Sequence, residues 1–271
     1  MPPINLSFSA CGFLGVYHLG VAAALHTHGQ KLLGDVQAFA GASAGSLVAS
    51  VLLTAPQKIQ DCYEFTCHLA EEARGQALGA ATPGFDFMAR LRSGVDSVLP
   101  PDAHLLAQHR LHVSITHTGT LRNRRVSCFS SRDDLIQVLL ASSFVPVYAG
   151  LKPVEYQGQR WVDGGLTDSL PVLPDGRTVT VSPFCGRLDI APRDGDPRPV
   201  HLRIARQEVA LSLANLVRLN HALFPPGPGA MAALRQQGFR DAVCFLQRED
   251  WFQPRPDART PDPRPGPRGH P

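Results

Sequence analysis

Gly41-Ala42-Ser43-Ala44-Gly45 reads Gly-x-Ser-x-Gly. An apolar stretch that suits a buried strand, Val36 to Ala40, precedes it, and a helical pattern from Ala44 to Leu53 follows, ended near Pro56. Strand, tight turn and helix form the setting in which this motif presents a nucleophilic serine on a strained elbow. Gly41 and Gly45 lack Cβ atoms, so strand and helix can approach each other. Ser43 Oγ would then project at a helix N-terminus, where free N–H groups and the dipole favour a developing negative charge. The bland alternative is a small-residue turn that packs a helix on a sheet.

A second turn lies upstream. Ile4 to Ser9 alternates as a strand does and runs into Ala10-Cys11-Gly12-Phe13-Leu14-Gly15, after which a helix is expected from Val16 to about His28, closed by Gly29. Such a turn could cradle a dinucleotide or supply backbone N–H groups to an oxyanion. The dinucleotide fingerprint wants glycine where Ala10 stands, and an acidic residue at the end of the second strand, which here ends Ala40-Gly41. The oxyanion reading is favoured, because neighbouring parallel strands end at one edge of a sheet and both turns can face one pocket.

A serine nucleophile needs a base. Eleven histidines are available. The late ones that a Ser-Asp-His order would require are His201, which begins a strand pattern, and His221, in an apolar helix pattern; neither occupies a glycine-bearing loop. Asp163 is the better candidate. It leaves the strand pattern Trp161-Val162 into Gly164-Gly165, where flexible backbone permits close approach to another turn. Taken alone, Asp-Gly is a common turn. Its weight comes from the order of the three stretches: oxyanion turn, serine elbow, Asp-Gly-Gly.

The elements that must position these groups can be sketched from periodicity. Gln57 to Gln76 is helical by pattern, Gly79 to Gly84 a loop, Phe85 to Leu91 a short amphipathic turn or helix, and Asp102 to Gln108 a short helix that Asp102 could cap. Leu111 to His117 reads as a strand, with a hairpin partner at Arg125 to Phe129. Ser131 opens a capping-box-like start for the helix Leu135 to Ser142. Val154 to Tyr156 and Gln159 to Val162 flank a tight turn at Gln157-Gly158, and Thr178 to Ser182 is a further strand. Pro192 to Pro199 reads as a loop. A long helix is expected from Glu208 to Phe224, its apolar residues favouring the core over a membrane. Two terminal helices follow, Ala230 to Gln237 and Asp241 to Trp251. The apolar loop Phe144-Val145-Pro146-Val147-Tyr148, with Phe13, could line an acyl pocket.

Hydrophobic residues make up 44% of the chain and charged ones 18%, which is a globular composition. The formal net charge of +3 comes partly from an Arg-rich tail and forms no basic block, so nucleic acid is not an expected partner. The six cysteines form no Cys-x-x-Cys pair or Cys/His cluster, so no metal is expected, and a reduced, intracellular compartment fits. Neither a secretory signal nor a membrane-spanning run stands out, and Met1 to His28 is not an Arg-rich presequence. The expected location is the cytoplasm with peripheral contact to a lipid droplet or membrane, the mitochondrion remaining open. The expected organisation is one domain, residues 1–253, and a disordered Pro/Arg-rich tail, 254–271.

The ordered motifs resemble those of the patatin-like phospholipases. Asn5-Leu6-Ser7-Phe8, Cys11-Gly12-Phe13-Leu14-Gly15, Tyr17-His18-Leu19-Gly20, Phe39 to Leu47, Leu139 to Pro146 and Trp161 to Leu166 are similar to the animal lipid-droplet-lipase branch of that family. The resemblance extends from Ile4 to about Phe252. It implies an α/β fold, a three-layer α/β/α sandwich with a mostly parallel central sheet, and no cofactor. It implies a Ser-Asp dyad, Ser43 and Asp163, with an oxyanion hole around Cys11, Gly12 and Phe13. The substrates it implies are triacylglycerols, phospholipids and retinyl esters, with acyl transfer to alcohols as well as to water. Two departures stand out: Ala10 replaces the first glycine of the family's turn, and Leu14 replaces an arginine found in many plant and bacterial patatins. The second weakens any expectation of phosphate binding and favours neutral esters. The rival readings are a His-dependent esterase and a lipid-binding or regulatory protein with a silent dyad.

Overall fold

The computed structural model describes residues 3–194 and 200–254. Strand β1 (Ile4–Phe8) is buried throughout, and a 3-10 turn at Gly12–Leu14 leads from it into helix α1 (Gly15–His28). Helix α1 is buried on nearly every side, as an apolar helix without a polar face must be. A short helix α2 (Gln30–Asp35) then delivers the chain to strand β2 (Val36–Ala42), and helix α3 (Ala44–Thr54) starts one residue later. Helices α4 (Ile59–Arg74), α5 (Phe87–Val98) and α6 (Ala103–Ala107) cross over to strand β3 (Leu111–His117). Strand β4 (Asn123–Val126), helix α7 (Arg132–Ser142), the hairpin β5 (Val154–Tyr156) and β6 (Gln159–Asp163), and strand β7 (Arg177–Val181) complete the main sheet.

The sheet runs β5-β6-β3-β2-β1-β7, with β4 also paired to β3. The four strands β3, β2, β1 and β7 are parallel; β4, β5 and β6 pair antiparallel. Helix α3 packs on β1, β2 and β3, and α7 on β3, β5 and β6, and these helices with the mostly parallel central sheet make the α/β/α sandwich that the resemblance implies. A separate antiparallel hairpin, β8 (His201–Ile204) and β9 (Gln207–Ala210), precedes helix α8 (Leu213–Leu223) and the 21-residue helix α9 (Pro228–Arg248), which packs along α1.

Several expectations change. The helix expected from Glu208 begins only at Leu213. Its first part is strand β9, and the turn joining β8 to β9 uses Ala205 and Arg206 at φ +43° and +68°, a geometry no glycine announces in the sequence. Ser212 Oγ accepts the Asn215 N–H at the true start. The two terminal helices are one. Gly238 does not break it, because a Cβ there would lie 2.1 Å from the Tyr17 carbonyl oxygen, so the glycine serves close helix packing. The short helix at Phe85 extends to Val98 with Asp86 as its cap, whereas Asp102 precedes α6 without capping it. Helix α2 was not expected, and the partner of β3 begins at Asn123. The tail, apart from Pro254, and most of the Pro192 to Pro199 loop lie outside the described residues.

Candidate active site

Strand β1 pairs with β2 in parallel with Phe8 opposite Gly41, so the turns that follow the two strands leave the same edge of the sheet. Strand β3 continues the register with Ser114 opposite Ala42. Strand β6 enters antiparallel on the far side of β3 and ends with Asp163 opposite Ile115, one residue past that level. Asp163 and Ser43 therefore end on the same edge, about 10 Å apart in backbone because β3 stands between them, and their side chains close the gap.

The serine elbow has the geometry that its glycines permit. Ser43 sits at φ +52°, ψ −132°, a region that non-glycine residues rarely adopt and that costs of order 1–3 kcal/mol. A Cβ on Gly45 would lie 2.3 Å from the Phe8 carbonyl oxygen, and one on Gly41 2.6 Å from the Gly45 carbonyl carbon. The strained backbone is tied down on both sides. Its N–H donates to Ser142 Oγ (2.9 Å), which donates in turn to the Ser114 carbonyl (2.7 Å). Its carbonyl accepts Ser46 N–H (2.9 Å) and Ser46 Oγ (2.7 Å). These constraints leave the Ser43 hydroxyl at the head of α3, facing Asp163.

Asp163 is 4% exposed. Its N–H donates to the Phe144 carbonyl and its carbonyl accepts Thr116 Oγ1, each at 2.8 Å. Its Oδ1 accepts the Gly165 N–H at 2.6 Å. Gly164 lets this turn lie against β3, since a Cβ there would be 2.0 Å from the Ser114 carbonyl oxygen. Burial pushes the Asp163 carboxyl up from 3.8 to about 6, against the smaller opposing pull of the Ser43 hydroxyl and the Gly165 N–H. At neutral pH the group is mostly ionised, with a basicity well above that of an ordinary carboxylate.

The Cys11–Phe13 turn lies beside the pair. Gly12 has φ +54°, and a Cβ there would lie 2.1 Å from the Ala222 carbonyl oxygen of α8. The N–H groups of Cys11, Gly12 and Phe13 donate to no backbone carbonyl among the described residues, while Leu14 N–H closes the turn onto the Cys11 carbonyl. Gly15 begins α1 against Ala44 of the elbow helix. The Cys11 thiol is buried and its pKa is raised by that burial and by Asp163, so it stays protonated and is a poor nucleophile.

Ala10, Cys11, Gly12, Phe13, Ser43, Asp163 and Gly165 open onto one cavity of about 530 Å³. It runs beneath α3, α4 and α5 past Leu47, Phe65, Leu91 and Leu99, and toward β8, β9 and α8 past Ile204, Leu216 and Leu219. Among the described residues, Asp163 is the one aspartate or glutamate that lines the cavity, and no histidine, lysine or arginine does. Of the residues that the sequence offers as pocket walls, Phe13, Val145 and Tyr148 line it. Phe144 instead packs in a small core with Ala149 and Val162, and Pro146 and Val147 are exposed. His18 is buried, with its ring bonded to the Ser9 carbonyl and burial lowering its pKa to about 4. Sequence reasoning gave no role to Ser142 and Ser114, whose hydrogen bonds carry no local signature, and it did not see the hairpin that walls one arm of the cavity.

Residues 6–175 match the family model described as patatin-like phospholipase, and the chain belongs to that family. It is 67% identical over 253 residues to human patatin-like phospholipase domain-containing protein 4, covering 93% of this chain and 100% of that one. It is 42% identical to patatin-like phospholipase domain-containing protein 2 of Rattus norvegicus and 37% identical to 1-acylglycerol-3-phosphate O-acyltransferase Pnpla3 of Mus musculus. In these it covers 53% and 59% of the relative, and 93% and 90% of itself. Among solved structures, VipD from Legionella pneumophila shares the fold, with a TM-score of 0.51 at 14% identity over 91% of this chain and 67% of that one.

Proposed function

We propose that the chain is a serine acyl-ester hydrolase and transacylase acting on neutral lipids, with Ser43 as nucleophile and Asp163 as its base, in one catalytic domain spanning residues 1–253. The observation that carries this reading is the meeting of a strained serine and a buried carboxylate of raised pKa at one apolar cavity. Family membership makes lipid hydrolysis or acyl transfer the class of reaction. Among the described residues no histidine lines the cavity, which speaks for a dyad over a Ser-His-Asp arrangement, since none of them places an imidazole to relay the proton.

Ser43 Oγ attacks the ester carbonyl carbon while Asp163 takes its proton. The carbonyl oxygen becomes an oxyanion, and the N–H groups of Cys11, Gly12 and Phe13 receive it; one such donor is worth a few kcal/mol of barrier. Collapse breaks the bond to the alcohol, which leaves with the proton from Asp163. Water or a second alcohol then attacks the acyl-Ser43 carbonyl, giving its proton to Asp163, and collapse returns that proton to Ser43 Oγ. The absence of lysine, arginine and histidine from the described lining gives a phosphate no cationic partner, and Leu14 is buried in the core. Triacylglycerols and retinyl esters are therefore preferred over phospholipids, at the surface of a lipid droplet or membrane inside the cell.

Labelling with a fluorophosphonate probe tests the reading. The wild type should label, and Ser43→Ala and Asp163→Asn should not. Labelling that survives in Ser43→Ala overturns the nucleophile. A folded wild type that never labels, yet binds acyl lipid, would be a lipid-binding protein with a silent dyad.

A further inference from the structure

Helix α8 is turned inside out. Its polar Asn215 is buried: the carboxamide accepts the Cys185 N–H (2.9 Å) and donates to the carbonyls of Cys185 (2.9 Å) and Ala210 (2.8 Å). Arg218 on the same helix makes a two-pronged pair with Asp194, both contacts at 2.6 Å. Its leucines meanwhile face solvent: Leu213 is 77% exposed, Leu216 55% and Leu219 56%. A helix in water normally buries such a face. Here the hydrogen bonds fix the opposite orientation, so the outward leucines belong to the folded state. Beside them, β8 exposes Leu202 and Ile204, and the hairpin tip is anchored where Ser169 N–H meets the Ala205 carbonyl (2.9 Å) and Arg206 meets the buried Asp168 (3.4 Å).

We infer that the β8–β9 hairpin and α8 form a platform that seats the protein on a phospholipid surface, with the cavity mouth against the lipid. The inference rests on the acyl-ester reading, since an ester of long chains must pass from lipid to Ser43 without crossing water. Two observations select the occupant. The apolar surface is continuous with the cavity, because Leu202, Ile204, Leu216 and Leu219 belong to both. Arg203 and Arg206 stay exposed on the hairpin, Arg206 being 64% so while it meets Asp168, which suits anionic headgroups at the margin, whereas Arg218 of α8 is taken up by Asp194 and faces inward. A peripheral element of this kind, an apolar face with basic residues at its margin, lies in the interface plane.

Leu213 and Val217 are exposed and stand outside the cavity lining, so Leu213→Glu/Val217→Glu leaves the dyad and its pocket untouched. The test is flotation of the full chain with phosphatidylcholine vesicles, with and without phosphatidylserine, beside hydrolysis of a soluble short-chain ester and a melting curve. The wild type should float, more strongly with phosphatidylserine. The double variant should bind about ten-fold or more weakly, with the soluble-ester rate and the melting temperature unchanged. Equal flotation of both proteins overturns the platform, as does a wild type that ignores vesicles, including one that pairs with a second copy through this face. Loss of soluble-ester hydrolysis in the wild type would instead strike the acyl-ester reading, while flotation still reports on the platform.

Discussion

Asp163 holds a negative charge where the fold would be more stable without one. With its pKa raised from 3.8 to about 6, the folded chain binds that proton more tightly than the unfolded chain does. This contribution to stability is greatest below pH 4 and is lost as pH rises through about 6, and it amounts to up to about 3 kcal/mol. Asp163→Asn should therefore be inactive yet more stable than wild type at pH 7, with the advantage fading toward pH 4; chemical denaturation at several pH values measures it. For the same reason hydrolysis of a soluble ester should rise with pH through about 6, and Asp163→Asn should abolish that rise along with the rate. Ser43→Gly should lose activity while gaining about 1 kcal/mol, because glycine accepts the φ of +52° without strain. In the proposed dyad, function and stability oppose each other at both residues. Both turns stood out in the sequence as candidates because each residue is flanked by glycines that close contacts demand. Ser142, which holds the elbow through one hydrogen bond from 99 residues away, left no such mark.

The strand-turn-helix of the elbow depends on two backbones touching. Gly45→Ala would drive a Cβ to within 2.3 Å of the Phe8 carbonyl oxygen and 2.5 Å of that of Ser9, groups that cannot move without breaking the β1–β2 pairing. A loss of about 3 kcal/mol or more is expected, visible as a lowered melting temperature even where some protein folds. Elements with an internal period, such as β1, β3 and the β5–β6 hairpin, could be read directly. The error at Glu208 has a physical origin. The hairpin turns on Ala205 and Arg206, which carry no turn signal, and α8 is held by Asn215 and Arg218 with its leucines outward, so an apolar count assigned it to the core. The residues that mislead a reader looking for a core are those that the platform offers to lipid.

On the scale of the whole molecule, the first and last helices form a clasp. A Cβ on Gly20 of α1 would lie 2.0 Å from the Arg235 carbonyl oxygen, and one on Gly238 of α9 2.1 Å from that of Tyr17, so each helix lays a glycine against the other's backbone. Tyr17 Oη also donates to Asp241 at 2.7 Å. Helix α1 continues directly from the turn that presents the N–H groups of Cys11, Gly12 and Phe13. A chain cut after Phe224 should consequently fail to react with a fluorophosphonate, although Ser43 and Asp163 are present, whereas a cut after Pro254 should label as the full chain does. The clasp also sets a schedule. A ribosome works from the first residue to the last, and α9 emerges long after the serine elbow and the Asp-Gly-Gly turn. A nascent chain thus holds both residues of the proposed dyad once Asp163 is made, yet lacks a finished site until α9 follows, and the proposed acyl transfer waits for that closing helix.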